Sequence, residues 1–255
     1  AGRELFPPSI TVLAHFRVQE GNRIMGLYDF TIYDLIKRNA VNFPKEEAWF
    51  EVDEDRTLSF VQFKEQVDRL AWGLQQQGLR KGDRIGILGK NRIEYFLLYG
   101  AAAALGVIVL PINWRLSAEE VAFNLLDGEP RLVFADQEFQ ETVEKAKTEL
   151  SFVESFFNLE MGKGGFSDFG ALMENGNQWD PVEVHSDDGF VIIHTAAVAG
   201  RPRGALLSHG NILLADMHFD YFFNLRPRDV HLNFLPLFHV GGLFLTTSAF
   251  HAGAL

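Results

Sequence analysis

The chain has 255 residues with 34 acidic and 23 basic side chains, a formal net charge of −11, and 47% apolar content that includes 24 phenylalanines. Such a composition excludes disorder as the main state, and a chain of this mass can bury about 73% of its unfolded surface in one or two domains. The acidic excess without a basic run argues against a nucleic-acid partner, while the lack of any cysteine excludes disulfides, thiolate metal sites and a thiol nucleophile and fits a reducing cytoplasm.

Residues 1–27 read as an irregular lead-in containing Pro7 and Pro8. Its apolar piece, 10–16, is short, contains His15 and lacks a basic leader, so no signal peptide is expected. A helix is predicted after Thr31, with Ile32, Leu35, Ile36 and Val41 on one side and Pro44 closing it. Runs at 48–52 and 57–58 flank the acidic turn 53–55 and predict a hairpin. Ser59 suits the amino cap of a helix whose Phe60, Phe63, Val67, Leu70 and Leu74 recur at helical spacing as far as Gly78.

The middle of the chain alternates strand and helix. A strand over 84–89, a helix capped by Asn91 and ended by Gly106, and a β-branched run over 107–112 form one such unit. Ser117 and Glu120 make the capping box of a helix ending near Gly128, and a strand over 131–135, a helix over 139–150 and a strand over 153–158 follow. This alternation predicts an α/β fold, with layered, mostly parallel β-sheets covered by helices. The glycine-rich, polar stretch 161–188 reads as a flexible connection and a candidate subdomain junction.

Beyond it come a strand over 189–194, a small-residue loop over 195–204, a continuation over 205–207 and a helix over 208–223. Two uncharged stretches, 95–114 and 231–255, are long enough to span a bilayer. The first contains Gly100, Gly106, Pro111 and Asn113, the second Asn233, Pro236, His239, Gly241 and Gly242. Those breakers argue against a transmembrane segment in either.

The chemistry concentrates in FVIIHTAAVAGRPRGALLSHGN, residues 190–211. A buried strand running into a loop of Thr, Ala and Gly brings backbone N–H groups close to an anion, and Arg201 and Arg203 add charge. A plain turn with two surface arginines remains the alternative. Neither a Walker loop nor the dinucleotide Gly-x-Gly-x-x-Gly occurs, and His-Glu-x-x-His and Gly-x-Ser-x-Gly are absent too. Ser208 beside His209 makes no nucleophilic pair, because helical neighbours point apart.

The 190–211 segment resembles the phosphate-binding signature of the AMP-forming acyl-CoA synthetase, luciferase and peptide-synthetase adenylation superfamily, Thr-Ser-Gly-Thr-Thr-Gly-x-Pro-Lys-Gly. Four other segments agree in order: LSFVQFKEQVDRLAWGLQQQGLRKGDRIGIL, LGVIVLPINWRLSAEEVAFNLLDGEPRLVFAD, LLSHGN and LPLFHVGGL. The resemblance covers residues 30–255 and implies the amino-terminal portion of the acyl-adenylate-forming fold, over 28–255. By that resemblance Thr195, Ala196, Ala197, Val198, Ala199, Gly200, Arg201, Pro202 and Arg203 would wrap the ATP phosphates. Gly200, Pro202 and Gly204 match outright, and Arg203 stands where lysine is usual, offering a planar fork in place of an ammonium. Ala196, Ala197, Val198 and Ala199 replace Ser, Gly, Thr and Thr. Each lost hydroxyl bond to a charged oxygen forgoes roughly 1.5 to 3 kcal/mol, which leaves Thr195 as the expected side-chain ligand.

His239, with Val240, Gly241 and Gly242 after it, would lie between the adenylate and the acyl group, the small residues leaving room for the acyl chain. The resemblance implies ATP-dependent activation of a carboxylic acid, with a fatty acid preferred, to acyl-AMP and then acyl-CoA. ATP, Mg²⁺ and coenzyme A are the implied co-substrates and ion. It places the catalytic groups in a carboxy-terminal half not contained in these residues, so this portion is expected to be inactive alone. An amino-acid adenylation or luciferase-like enzyme, or a non-catalytic scaffold with a degenerate loop, are the alternatives. A homo-oligomer stays open.

Overall fold

The computed structural model describes residues 29–162, 164–174, 176, 178–195 and 202–255. The lead-in 1–27 lies outside the described residues. Helix α1 (Ile32–Asn42) opens on Thr31, whose hydroxyl accepts from the Asp34 amide while the Asp34 carboxylate accepts from the Thr31 amide. Its buried stripe runs through Ile32, Leu35, Ile36, Asn39 and Ala40. Val41, expected on that stripe, is instead 78% exposed. At about 100° per residue it falls off the line through Ile32 and Ile36, and Asn39 takes the inner position.

Strands β1 (Glu47–Glu51) and β2 (Arg56–Ser59) form the antiparallel hairpin. Ser59 then caps α2 (Phe60–Gln76), where Phe60, Phe63, Val67, Leu70 and Leu74 are all buried. Strand β3 (Arg84–Leu88), helix α3 (Ile93–Leu105) and strand β4 (Ile108–Pro111) follow, with Gly106 ending α3 at φ 64°. Left-handed backbone of this kind favours glycine. Asn91 is not the cap of α3. Arg92 holds that position and makes no side-chain capping bond.

Every residue of α3 is buried, including Glu94. Its two carboxylate oxygens accept from Arg56 on β2 at 2.6 and 3.1 Å, which compensates the burial of the charge. A Cβ on Gly100 would lie 2.6 Å from Val67, so the small face of α3 lets α2 approach closely.

Helix α4 (Ala118–Gly128) carries the Ser117 and Glu120 capping box and leads to β5 (Leu132–Ala135). Helix α5 (Gln140–Ala146) is shorter than the expected 139–150 because its flanks, Gln137–Phe139 and Lys147–Glu149, tighten into 3-10 turns. Strand β6 (Ser155–Asn158) comes next.

The stretch 161–188 is more than a connection. It supplies β7 (Ser167–Asp168), parallel to β6, and buries Phe169 and Leu172 in the main core. A Cβ on Gly73 of α2 would lie 2.0 Å from the Leu172 carbonyl oxygen. Two isolated apolar residues show no periodicity in sequence, yet they seal the underside of α2.

Strand β8 (Gly189–His194) runs on into the loop, and β9 (Gly204–Ser208) returns antiparallel to it. The expected continuation over 205–207 is therefore the second arm of a hairpin. Helices α6 (His209–Phe223) and α7 (Val240–Ala252) complete the order. Beyond α7, Gly253 turns at φ 77°. Leu255 then donates to the Asp229 carbonyl at 3.0 Å and accepts from the His231 amide at 2.7 Å, the bonding of two parallel strands.

Seven strands lie in the order β7-β6-β5-β3-β4-β8-β9, parallel except for the edge strand β9. Alternation along the strands separates two layers. Ile85, Ile87, Val109, Leu132 and Phe134 face the core shared with α1, α2 and α3. Leu88, Leu110, Val133 and Ala135 face Val121 and Leu125 of α4 and Val143 and Ala146 of α5. The expected parallel sheet with helices on both faces is what forms. Among the described residues no helix is long and apolar enough to cross a membrane.

Candidate functional site

In a parallel sheet all carboxyl ends lie along one edge, and ligands bind outside that edge where the strand order reverses. Here β3, β4 and β8 are neighbours, so the segments leaving Leu88, Pro111 and His194 emerge side by side. Connections from β3 and β5 run to opposite sides of the sheet, which puts the reversal at the same edge.

From β8 comes the loop. Ala196, Ala197, Val198, Ala199, Gly200 and Arg201 lie outside the described residues. The neck is closed by the Thr195 amide, which donates to the Arg203 carbonyl at 3.0 Å, and by the Thr195 hydroxyl at 3.4 Å from the same oxygen. That hydroxyl bond is long and weak, so an incoming anion could claim the group. Thr195 and the Arg203 side chain are exposed, and Pro202 is half-buried. Just inside the neck, His194 Nε2 lies 2.9 Å from an Asp127 carboxylate oxygen at the end of α4.

From β3 comes Asn91. Its Nδ2 donates to the Leu235 carbonyl at 2.7 Å, and its Oδ1 accepts from the Leu237 amide at 2.8 Å. Tyr99 of α3 donates its hydroxyl to the Leu237 carbonyl at 3.0 Å. From β4 comes Trp114, edge-on to Phe238 with ring centres 6.4 Å apart. The Arg115 guanidinium lies 4.4 Å from the Trp114 ring centre. Three neighbouring strand ends thus carry residues 235–239 or begin the loop.

His239 caps α7. Its Nδ1 accepts from the Gly241 amide at 3.1 Å, a role that assigns the proton of a neutral ring to Nε2. The side chain is exposed, and Nε2–H is then a hydrogen-bond donor suited to a carboxylate or phosphate oxygen. The two following glycines differ. A Cβ on Gly242 would sit 2.1 Å from the Pro236 carbonyl oxygen, whereas one on Gly241 would meet only His239 Nδ1 at 3.3 Å and Leu235 at 3.8 Å. Gly242 therefore does not border open space for an acyl chain, as the motif suggested; its missing side chain is filled by backbone. Val240 is exposed.

Helix α6 starts at the amino edge of the sheet, where the His209 amide donates to the Asp188 carbonyl, and it encloses its polar groups. Asp216 of α6 accepts from the Thr247 and Ser248 hydroxyls of α7 at 2.9 and 3.1 Å. Burial pushes its carboxyl up to about 8. His209 accepts from the Ile32 amide through Nδ1 at 3.3 Å, and burial lowers its imidazole to about 4. Ser208 accepts from the Asn211 amide as the cap of α6. Neither member of the Ser208 and His209 pair is disposed toward nucleophilic chemistry.

Asp136, at the end of β5, carries no sequence signal and belongs to this edge. It is 1% exposed, accepts from the Lys90 amide at 2.7 Å and lies 3.1 Å from Arg92 Nε. Burial raises its carboxyl to about 6 against the opposing pull of the Lys90 amide and Arg92. It tethers the 89–92 turn that presents Asn91. Trp114, Tyr99 and Asp136 were invisible to motif reading because their partners are distant in sequence.

A parallel sheet with a hairpin loop and a backbone-held histidine at its carboxyl edge defines a ligand-binding α/β domain. The sequence model of the AMP-binding enzymes matches residues 36–255, and the chain belongs to that family. Among its relatives, the fatty acid acyl-carrier-protein ligase ScoC of Streptomyces coeruleorubidus is 33% identical over 211 residues, 78% of this chain and 38% of ScoC. Indoleacetate CoA ligase of Aromatoleum aromaticum is 31% identical over 85% of this chain and 41% of its own length. A crystal structure of a proposed long-chain-fatty-acid CoA ligase of Rhodopseudomonas palustris matches with TM-score 0.84 and 41% identity, covering 90% of this chain and 57% of that one. The chain spans about two-fifths of the length of these curated relatives.

Proposed function

We propose that this chain contributes the phosphate loop and one wall of the acid pocket to an ATP-dependent acid–thiol ligase. The carboxylate of a hydrophobic acid attacks the α-phosphate of ATP and pyrophosphate leaves. The thiol of coenzyme A then takes the acyl group from AMP. Arg203 and the amides of the 195–203 loop hold the departing phosphates, a task of positioning and charge neutralisation. His239 donates Nε2–H to an oxygen of the acid or adenylate. Thr195 supplies a hydroxyl from the loop neck.

The observation that supports this best is the placement of the loop neck and the His239 segment on neighbouring strand ends of one sheet. An apolar acid is favoured by the contact of Trp114 with Phe238, the residue before His239, and by the fatty-acid ligases among the relatives. ScoC, named for an acyl-carrier-protein, supports a second reading in which a carrier thiol replaces coenzyme A. Among the described residues no three His, Asp or Glu side chains converge as metal ligands. A chain without cysteine that uses ATP and coenzyme A fits a cytoplasmic setting.

Pyrophosphate exchange by the full-length protein across a panel of carboxylic acids tests the reading. Exchange dependent on one class of acid, with calorimetric binding of ATP, is expected. Neither exchange nor ATP binding would leave only a scaffold.

A further inference from the structure

Asn91 has the sequence position of a helix cap but does not cap α3. Both ends of its carboxamide are committed to a segment more than 140 residues away. One end donates to a carbonyl and the other accepts from the amide two residues later. That is the pair of bonds a neighbouring strand would make through its backbone, here supplied by a side chain. Tyr99, also on the α3 side, takes the carbonyl of the same Leu237, so both backbone polar groups of that residue are fixed from outside.

From Leu237 the constraint runs two residues to the histidine. The His239 amide donates to the Pro236 carbonyl at 3.1 Å, the Leu243 amide to the His239 carbonyl at 3.0 Å, and Gly242 packs directly on Pro236. Little rotation is left between the Asn91 latch and the imidazole. We propose that Asn91, assisted by Tyr99, is a positioning residue for the acid-binding side of the site, setting where His239 presents Nε2–H. This rests on the ligase reading for its activity readout. At the neck of the 195–203 loop Thr195 bonds to Arg203, and neither takes part in the bonds of Asn91 or Tyr99, so the latch is placed to act on the acid and not on ATP.

The test uses the full-length protein with Asn91→Ala, Asn91→Asp and Tyr99→Phe. In pyrophosphate exchange, N91A is expected to raise KM for the acid about tenfold and Y99F about threefold, with KM for ATP moving less than twofold. A parallel rise of both KM values, as general loosening would give, or no change in either, would overturn the proposal. Should N91A not fold, N91D keeps the acceptor for the Leu237 amide and is expected to show the same split, with the same contrary outcomes. If the unsubstituted protein exchanges with no acid, the ligase reading fails while the latch stays testable. Hydrogen exchange at Leu237 and Leu243 should then quicken at least tenfold in the variant with Ile85 and Ile87 unchanged, and protection equal to the parent's would refute it.

Discussion

The two segments proposed to build the site are held in opposite ways. Residues 235–239 are fixed by side chains from elsewhere: Asn91, Tyr99 and Trp114 from the ends of β3 and β4 and from α3. The neck of the 195–203 loop is closed by backbone, Thr195 donating to the Arg203 carbonyl. A wall that must discriminate a carbon skeleton gains from rigidity, since its contacts depend on shape. A loop that must close around phosphates needs amides not already satisfied internally. Substituting in one segment should therefore disturb folding, and in the other only binding.

The sharpest challenge to that contrast is Gly242→Ala. Its Cβ would overlap the Pro236 carbonyl, and since that contact is backbone, urea unfolding should show a loss of about 3 kcal/mol. A loss under 1 kcal/mol would mean that the 235–239 segment yields easily. Next, Arg203→Ala removes an exposed guanidinium. Calorimetry of the full-length protein should show ATP binding weakened ten- to a hundredfold, consistent with about 1.5 to 3 kcal/mol for a charged hydrogen bond. Its unfolding midpoint should stay unchanged, because exposed substitutions seldom matter to stability.

Third in size is the pH response of Asp216, held between α6 and α7. The Asp216 carboxyl is raised from 3.8 to about 8, so between those values the folded state holds a proton that the unfolded chain has released. Its contribution is complete below pH 4 and is lost as pH rises toward 8, with a slope of at most about 1.4 kcal/mol per pH unit. Asp216→Asn should flatten the measured stability across pH 5 to 8; an unchanged slope would place the titration elsewhere. The smallest effect is expected of Gly241→Ala, whose Cβ meets only the His239 ring edge and a Leu235 methyl. It should cost under about 1 kcal/mol in the same urea titration.

Most elements were legible because their signals are local. Ser59, Ser117 and Ser208 cap helices through the amide three residues on, and the apolar repeat of α2 lies wholly on its buried face. Asn91 shows the boundary of that logic. A residue equally suited to capping, before the same kind of helix, serves a tertiary bond instead, and no local pattern distinguishes the two. The return of β9 alongside β8 was hidden for a related reason: antiparallel pairing depends on a register across the loop, and residues 205–207 continue a strand equally well. Phe169 and Leu172 were read as connection because burial without periodicity leaves no trace. The motif at 235–243 singled out Gly242 as room for an acyl chain, but no sequence pattern shows that its neighbour is the Pro236 carbonyl oxygen.

Arg56 sits on the peripheral hairpin while Glu94 lies sealed within α3. Pulling the hairpin away would strand a carboxylate in oil-like surroundings, an outcome far more costly than losing a few surface contacts. The small outlying ribbon therefore cannot fray by itself. Its detachment is coupled to breakdown of the central helix, and its amides should exchange with solvent on the slow timescale of the whole domain.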